Sequence, residues 1–242
     1  MNFSRASSAL APLLSNFGDM ILNRCALPQQ CLLCAAANRD ALCDACYRQL
    51  PWFVAAHCPR CALPTPGGAL CGACLRRLPR FDRVAAACVY AYPLAELIRS
   101  YKYHGTLALA TLFAQMLAAG ISSAGADLIV PLPLSRTRLR QRGFNQALEI
   151  ARVVSRSARI PLAVRICRRV RDGAPQAALP WDERRKNIRG AFVCDADLTG
   201  QRVAVIDDVL TTGATLDEIA KILKRAGALE VYGWVVARTL PP

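Results

Sequence analysis

Lysine is scarce in this chain. Only Lys102, Lys186, Lys221 and Lys224 occur, although 31 basic residues face 17 acidic ones and leave a formal charge of +14. The positive charge is therefore mostly guanidinium, whose planar fork suits phosphate better than a point charge does, so phosphorylated ligands or nucleic acid are the partners that composition suggests. A GC-rich genome would also raise arginine, which leaves any single surface arginine without a role. Long apolar runs are missing as well: no window reaches the roughly 18 apolar residues of a membrane span. Residues 1–24 read as a short amphipathic helix, because Pro12, Ser15, Asn16 and Asp19 break the continuous apolar core that a secretory signal needs. Residues 25–80 lack helical periodicity, and no long tandem repeat occurs beyond a duplicated cysteine pattern. Disorder is not the default either, since 54% hydrophobic residues supply ample material for a core.

What residues 25–80 do have is cysteine, nine of the chain's twelve. Cys31, Cys34, Cys43 and Cys46 form C-x2-C-x8-C-x2-C, and Cys58, Cys61, Cys71 and Cys74 form C-x2-C-x9-C-x2-C. Two C-x-x-C turns present four thiolates to one tetrahedral ion, so the spacing predicts two structural Zn2+ sites in a module that gains its fold from metal rather than from apolar burial. Sequential pairing closes shorter loops than interleaving does. A redox function would need one pair, not four. Two four-cysteine sites, each −2 with its ion, lower the effective charge to about +10, and the chain stays basic. His57 precedes Cys58 but is superfluous beside four sulfurs. Cys88, Cys167 and Cys194 sit in apolar runs and read as small core residues; Cys25 also lacks a partner in the pattern. Thiols used this way predict a reducing, cytoplasmic location.

From Phe81 the pattern changes to alternating strands and helices. FDRVAAACVYAY, ADLIVPLPL, PLAVRIC, RVAVID and EVYGWVVA read as strands. LAELIRSYKYHG, LALATLFAQMLAAG, GFNQALEIARVVSRSA and GATLDEIAKILKRAG read as helices, the third with Phe144, Ala147, Leu148, Ala151 and Val154 on one face and the last with Leu216, Ile219, Ala220 and Leu223. This alternation predicts an α/β fold with a doubly wound parallel sheet over 81–242, preceded by the helix of 1–24 and the zinc module of 25–80. Arg168 to Arg189 is a charged, proline-containing loop, and loops that long are functional lids or disordered.

The stretch RVAVIDDVLTTGAT places two carboxylates, Asp207 and Asp208, where a strand ends at the carboxyl edge of the sheet, followed by a turn that opens a helix. Backbone N–H groups, threonine hydroxyls and the positive helix end can cradle a phosphate, with Gly213 allowing close approach. Acids beside a phosphate nest would repel the ligand unless they meet vicinal hydroxyls and a divalent cation. A bare D-x-x-T-G would need no more than an acidic cap and an ordinary turn; the full run resembles the phosphoribosyl pyrophosphate (PRPP) loop of type I phosphoribosyltransferases. Upstream, LSRTRLRQRGFNQ sets Arg136, Arg138, Arg140 and Arg142 at every second position. They share a side if the chain is extended and spread round the axis if it is helical.

The order of these pieces is similar to that of the ComF family of competence-associated, phosphoribosyltransferase-like proteins. It runs from cysteine pairs to Pro131–Ala147, then a lid with Arg169, Arg171, Gln176 and Gly190-Ala191-Phe192, then the PRPP loop. The R-x-x-N spacing around Arg184, Arg185 and Asn187 fits less closely. The resemblance implies a type I phosphoribosyltransferase-like domain that binds PRPP with Mg2+. Asp207 and Asp208 would hold the ribose hydroxyls and act in catalysis. Thr211, Thr212, Gly213, Ala214 and Thr215 would hold the 5′-phosphate. Among Arg136, Arg138, Arg140 and Arg142, with the lid's Arg168, Arg169, Arg171, Arg184, Arg185 and Lys186, some would neutralise pyrophosphate or grip a second polyanion. Lys102 and His104 become ligand contacts by position in the family alone. The family's link to DNA uptake implies DNA-uptake proteins as partners. It also sets a rival reading, an accessory protein that binds single-stranded DNA through zinc-module arginines (Arg39, Arg48, Arg60, Arg76, Arg77), with PRPP as a ligand. In that reading the clustered aromatics Tyr47, Trp52 and Phe53 either stack on bases or form the module's small core.

Overall fold

The first unit of the chain is residues 1–49, and its described part, residues 29–49, is built round cysteines. The computed structural model describes residues 29–54, 56–121, 125–171 and 188–241. The expected helix of 1–24 and the lid positions Gln176, Arg184, Arg185, Lys186 and Asn187 lie outside them. Strand β1 (Gln29–Gln30) pairs antiparallel with β2 (Ala37–Asn38). Between them Cys31 O accepts from Ala35 N at 2.9 Å while Cys31 N donates to Ala36 O at 2.8 Å, which curls the chain round the first two sulfurs. Cys43 then caps the one-turn helix α1 (Asp44–Arg48) from an extended conformation.

Residues 50–242 form the second unit and open with the same device. Ala62 N donates to Cys58 O at 2.9 Å, Cys58 N to Leu63 O at 2.7 Å, and Cys71 caps α2 (Gly72–Arg76). The unit then runs β3 (Arg83–Val89), α3 (Leu94–Tyr103), α4 (Ala108–Ile121), β4 (Leu128–Pro131), α5 (Arg136–Arg142), α6 (Gln146–Ala158), β5 (Cys167–Arg169), β6 (Phe192–Cys194), β7 (Arg202–Leu210), α7 (Ala214–Arg225) and β8 (Glu230–Arg238). Four of these strands make a parallel sheet in the order β3-β8-β7-β4. Val203 to Ile206 and Val231 to Ala237 are buried without alternation, as parallel strands covered on both faces must be. Val203, Val205, Val231 and Val235 pack with Leu216, Ile219, Ala220 and Leu223 of α7, the four residues its periodicity singled out. Leu216 crosses Gly233 so closely that any Cβ there would collide with it. Alternate strand residues such as Ala204, Ile206 and Trp234 turn to the other face, where α4 and α6 cover the sheet.

Four sequence expectations shift. The strand expected to end at Asp207 continues to Leu210, held by β8 through Val209↔Ala237 and Leu210↔Arg238, so the turn begins at Thr211. The strand expected over PLAVRIC is confined to Cys167–Arg169 and leaves the main sheet; Leu162 makes only a single bridge to Ile129, and β5 instead pairs antiparallel with β6. On α6, Gln146 and Ile150 occupy the buried face in place of Phe144 and Leu148, because the helix starts only at Gln146, after the Asn145 cap. Trp52 and Phe53, expected to cluster in the cysteine module, instead extend the edge of β3: Trp52 bridges Cys88 and Phe53 N donates to Ala87 O at 3.0 Å.

Candidate functional site at the carboxyl edge of the sheet

Asp207 and Asp208 lie near the end of β7 with different surroundings. Asp208 is 6% exposed, and the Lys102 Nζ at the end of α3 reaches its Oδ1 at 2.9 Å. Asp207 Oδ1 accepts the Asp208 N–H at 2.8 Å. Burial, with the neighbouring Asp208 charge adding to it, pushes the Asp207 carboxyl up to about 7, against the opposing fields of Lys102 and Arg142. Such a carboxyl releases its proton to solvent when a cation binds beside it. Lys102, singled out only by family position, is thus part of the site, whereas His104 is exposed at the end of α3.

The turn follows directly. Gly213 takes φ 78° as the cap of α7, a left-handed conformation that only glycine adopts cheaply, and the Thr212 hydroxyl accepts the Ala214 N–H at 3.1 Å. The N–H groups of the first helical turn point outward along the axis, the arrangement that binds phosphate. Thr211, Thr212, Gly213 and Thr215 are half-buried and Ala214 is buried, so the five residues form one recessed rim beside the acids.

The arginine run is helical, with Ser135 Oγ accepting from Arg138 N at 3.2 Å at one end and Gly143 at φ 78° at the other. Its four arginines therefore spread round α5. Arg136 and Arg140 are exposed and Arg138 half-buried, and it is Arg142 whose charge reaches Asp207. Its Nη1 donates to Gln146 Oε1 at 2.9 Å, and its guanidinium lies 5.5 Å from the Tyr103 ring centre. Gln146 is 2% exposed and its Nε2 has no partner among the described residues. Asn145 accepts from Ala147 N at 3.0 Å and donates to Leu132 O at 3.1 Å, tying α6 to the end of β4. Arg169 and Arg171 sit at β5, where Arg169 Nε donates to Arg171 O at 3.1 Å and Arg171 Nη1 to Arg189 O at 3.4 Å.

One contributor escaped the sequence reading. Arg238, 2% exposed at the end of β8, donates Nε to Cys61 O at 2.9 Å and Nη1 to Leu210 O at 3.0 Å, Thr239 O at 2.8 Å and Thr211 O. It ties the second cysteine group to the start of the turn. Its sequence signal was a charge directly after the apolar run Val231–Ala237.

Both cysteine groups suit a tetrahedral metal. Cys31, Cys34, Cys43 and Cys46 bring their sulfurs within 4.8 Å of one another, as do Cys58, Cys61, Cys71 and Cys74, so the pairing is sequential. Burial raises Cys31 and Cys58, but backbone N–H groups outweigh it: those of Cys43, Cys34 and Leu33 bring Cys31 to about 6, and those of Cys71, Cys61 and Arg60 bring Cys58 to about 7. Thiolates held this way fit Zn2+. Arg60, expected on a DNA-binding face, is instead half-buried, donating to Phe81 O at 3.0 Å and to Asp82 Oδ1 at 3.2 Å.

Residues 22–75 match the double zinc ribbon domain and residues 144–239 the phosphoribosyl transferase domain. Competence protein F of Haemophilus influenzae is 32% identical over 222 residues, spanning 83% of this chain and 91% of the relative. The DNA utilization protein YhgH of Escherichia coli K12 is 32% identical over 225 residues, 88% of this chain and 99% of its own. A purine phosphoribosyltransferase from Pyrococcus horikoshii aligns at 20% identity over 53% of this chain and 72% of its own, with a TM-score of 0.34. Two domains in this order, and relatives matched over nearly their whole length, establish that the chain belongs to the ComF family.

Proposed function

We propose that the chain binds PRPP at the carboxyl edge of β7 and transfers its phosphoribosyl group, with loss of pyrophosphate, in the handling of DNA that the names of its relatives indicate. The observation that supports this reading is the junction of an acid pair on a buried strand with a glycine-capped helix start. The α7 turn takes the 5′-phosphate, and Asp207, with Asp208 shared by Lys102, orients the ribose hydroxyls. Mg2+ carried with PRPP would be held beside these two carboxylates and supplies positive charge to the pyrophosphate. Arg142, braced by Gln146 and Tyr103, would face the leaving group as the bond from the sugar carbon to pyrophosphate breaks, and Arg169 and Arg171 at β5 are further cations that would meet the pyrophosphate in this reading. Catalysis of this kind is charge stabilisation and positioning, with the acceptor closing on an oxocarbenium-like sugar.

Calorimetry of PRPP with Mg2+ tests it: the Asp207→Asn/Asp208→Asn variant should lose at least about tenfold in affinity, or roughly 1.4 kcal/mol, while staying folded. Unchanged affinity would reduce the pair to a helix cap. Pyrophosphate release across a panel of acceptors then separates transfer from binding alone.

A second reading, binding of single-stranded DNA in the reducing cytoplasm, is favoured by one feature. Exposed Arg76 and Arg77 line a cavity of about 320 Å³ together with Thr212, Gly213 and Ala214 of the turn. If these and other arginines meet about four phosphates, log K against log[salt] should slope near about −3. A slope near zero rules the footprint out. No helix among the described residues is long and apolar enough to cross a membrane.

A further inference from the structure

Three cysteines among the described residues fall outside the metal groups, and two of them meet. Cys167 on β5 and Cys194 on β6 are direct register partners. The neighbouring hydrogen bonds, Asp195 N to Ile166 O at 2.9 Å and Val170 N to Ala191 O at 2.8 Å, assign Ile166/Asp195 and Val170/Ala191 to the hydrogen-bonded positions of this antiparallel pair. Alternation then makes Cys167/Cys194 a non-hydrogen-bonded pair, in which Cα atoms stand about 4.5 Å apart and side chains lean together. That spacing lies at the short end of the roughly 4.4–6.8 Å range that a disulfide spans. The sulfurs sense each other: burial raises the Cys167 thiol and the adjacent Cys194 raises it further. Exposure differs across the pair, with Cys167 5% exposed inside the core and Cys194 half-buried at its edge. Cys88, by contrast, is buried on β3 away from both, its thiol pushed up to about 12 by burial.

We propose that Cys167 and Cys194 form a reversible dithiol/disulfide couple, a cross-strand staple separate from both zinc groups, that exchanges with small-molecule disulfides such as glutathione disulfide. Cys194, the accessible thiol, loses its proton and attacks one sulfur of the small disulfide, expelling one small thiolate. Cys167 then gives up its proton and attacks the Cys194 sulfur, expelling the second. Two protein thiols are oxidised, one small disulfide is reduced to two thiols, and the protons released by the cysteines protonate the leaving thiolates. A bridge compressed toward the short end of its range is easily reduced, so the couple responds to an oxidising change rather than staying closed. Its closure joins the two strands that bound the segment between Val170 and Ala191, and so bears on Arg169 and Arg171 beside it.

The zinc-loaded full chain, equilibrated in glutathione redox buffers, acid-quenched, alkylated and digested with trypsin, tests the couple. The expected product is a peptide of residues 166–168 linked to one of residues 190–202, about two mass units below the sum of the free peptides, since closing the bridge removes two hydrogens. It should be lost on reduction, absent in Cys194→Ser, and formed while the chain still holds its zinc. The oxidised chain should also unfold several degrees higher, because the link closes a loop in the unfolded chain. Both cysteines remaining alkylatable in the most oxidising buffer would overturn the proposal. So would Cys194 accumulating only as a mixed disulfide with glutathione, or the link appearing only after zinc is lost. Mapping is done on the unaltered chain, so a variant that misfolds does not remove the test.

Discussion

At the scale of single residues, the two adjacent acids are not equivalent. Asp208 already has a cation, Lys102, at 2.9 Å, while among the described residues Asp207 meets the fields of Lys102 and Arg142 and the Asp208 N–H. With its carboxyl raised to about 7 against about 3.9 in an unfolded chain, Asp207 holds a proton in the fold that the unfolded chain has released between those pH values. Its contribution to stability therefore declines as pH rises through that window. Binding of Mg2+ and PRPP should eject this proton below pH 7, so affinity should rise by up to about tenfold per pH unit towards about 7 and flatten above it. Calorimetry at about pH 6, in two buffers of different ionisation heat, reads the proton directly; identical heats would mean Asp207 is not the group engaged. Lys102→Met strands a buried carboxylate and should cost about 3 kcal/mol in denaturant unfolding. The Lys102→Met/Asp208→Asn pair should recover most of that loss, giving a coupling energy that independent sites would not show.

Secondary-structure elements were readable where their periodicity was strong. The α7 face of Leu216, Ile219, Ala220 and Leu223 and the buried runs of β7 and β8 follow from spacing alone, because each element's pattern is set by one dominant burial. The end of β7 did not, since nothing local distinguishes an acid that ends a strand from one kept in it by β8. The β5–β6 pairing was hidden too: it joins two three-residue strands far apart in sequence, too short to show alternation. The site residues of the strand–turn–helix were legible as a local motif, whereas Arg238 works through a contact 177 residues away in sequence. Two substitutions test this element as a unit. Gly213→Ala forces a side chain into φ 78° and should cost about 1–2 kcal/mol, weakening ribose 5-phosphate more than pyrophosphate. Arg238→Met removes the donor shared by the carbonyls of Cys61, Leu210, Thr211 and Thr239 and should cost at least about 3 kcal/mol in chemical denaturation. Arg238→Lys should restore little of it, since an ammonium lacks the fork that spans Cys61, Leu210 and Thr239.

For the whole molecule, the two cysteine groups differ in what depends on them. Cys58, Cys61 and Cys74 belong to the same buried cluster as Phe81, Val205 and Ala214, while the first group lies in a unit of its own. Elemental analysis should find two zinc ions per chain, one for each group of four sulfurs. Chelation should then act in two stages: loss of one ion leaves hydrogen-exchange protection in β7 and β8 intact, and loss of the second removes it. Protection that survives complete removal of zinc would show that the second site decorates the core without supporting it. The sheet order adds a consequence for synthesis. β8 is the last of the described strands to be made, yet it lies between β3 and β7, so Arg83 must wait for Tyr232 before β3 has its partner in the sheet. While the ribosome extends the intervening chain, β3 has only the short Pro51–Phe53 segment at its edge and no partner in the parallel sheet, where of its four strands only β4 and β7 can pair. Folding of this unit is therefore a late event dominated by contacts distant in sequence, slow in kind and exposed to aggregation on the way. Nascent chains that stop before β8 should be cleared by proteolysis rather than accumulate as partly folded protein.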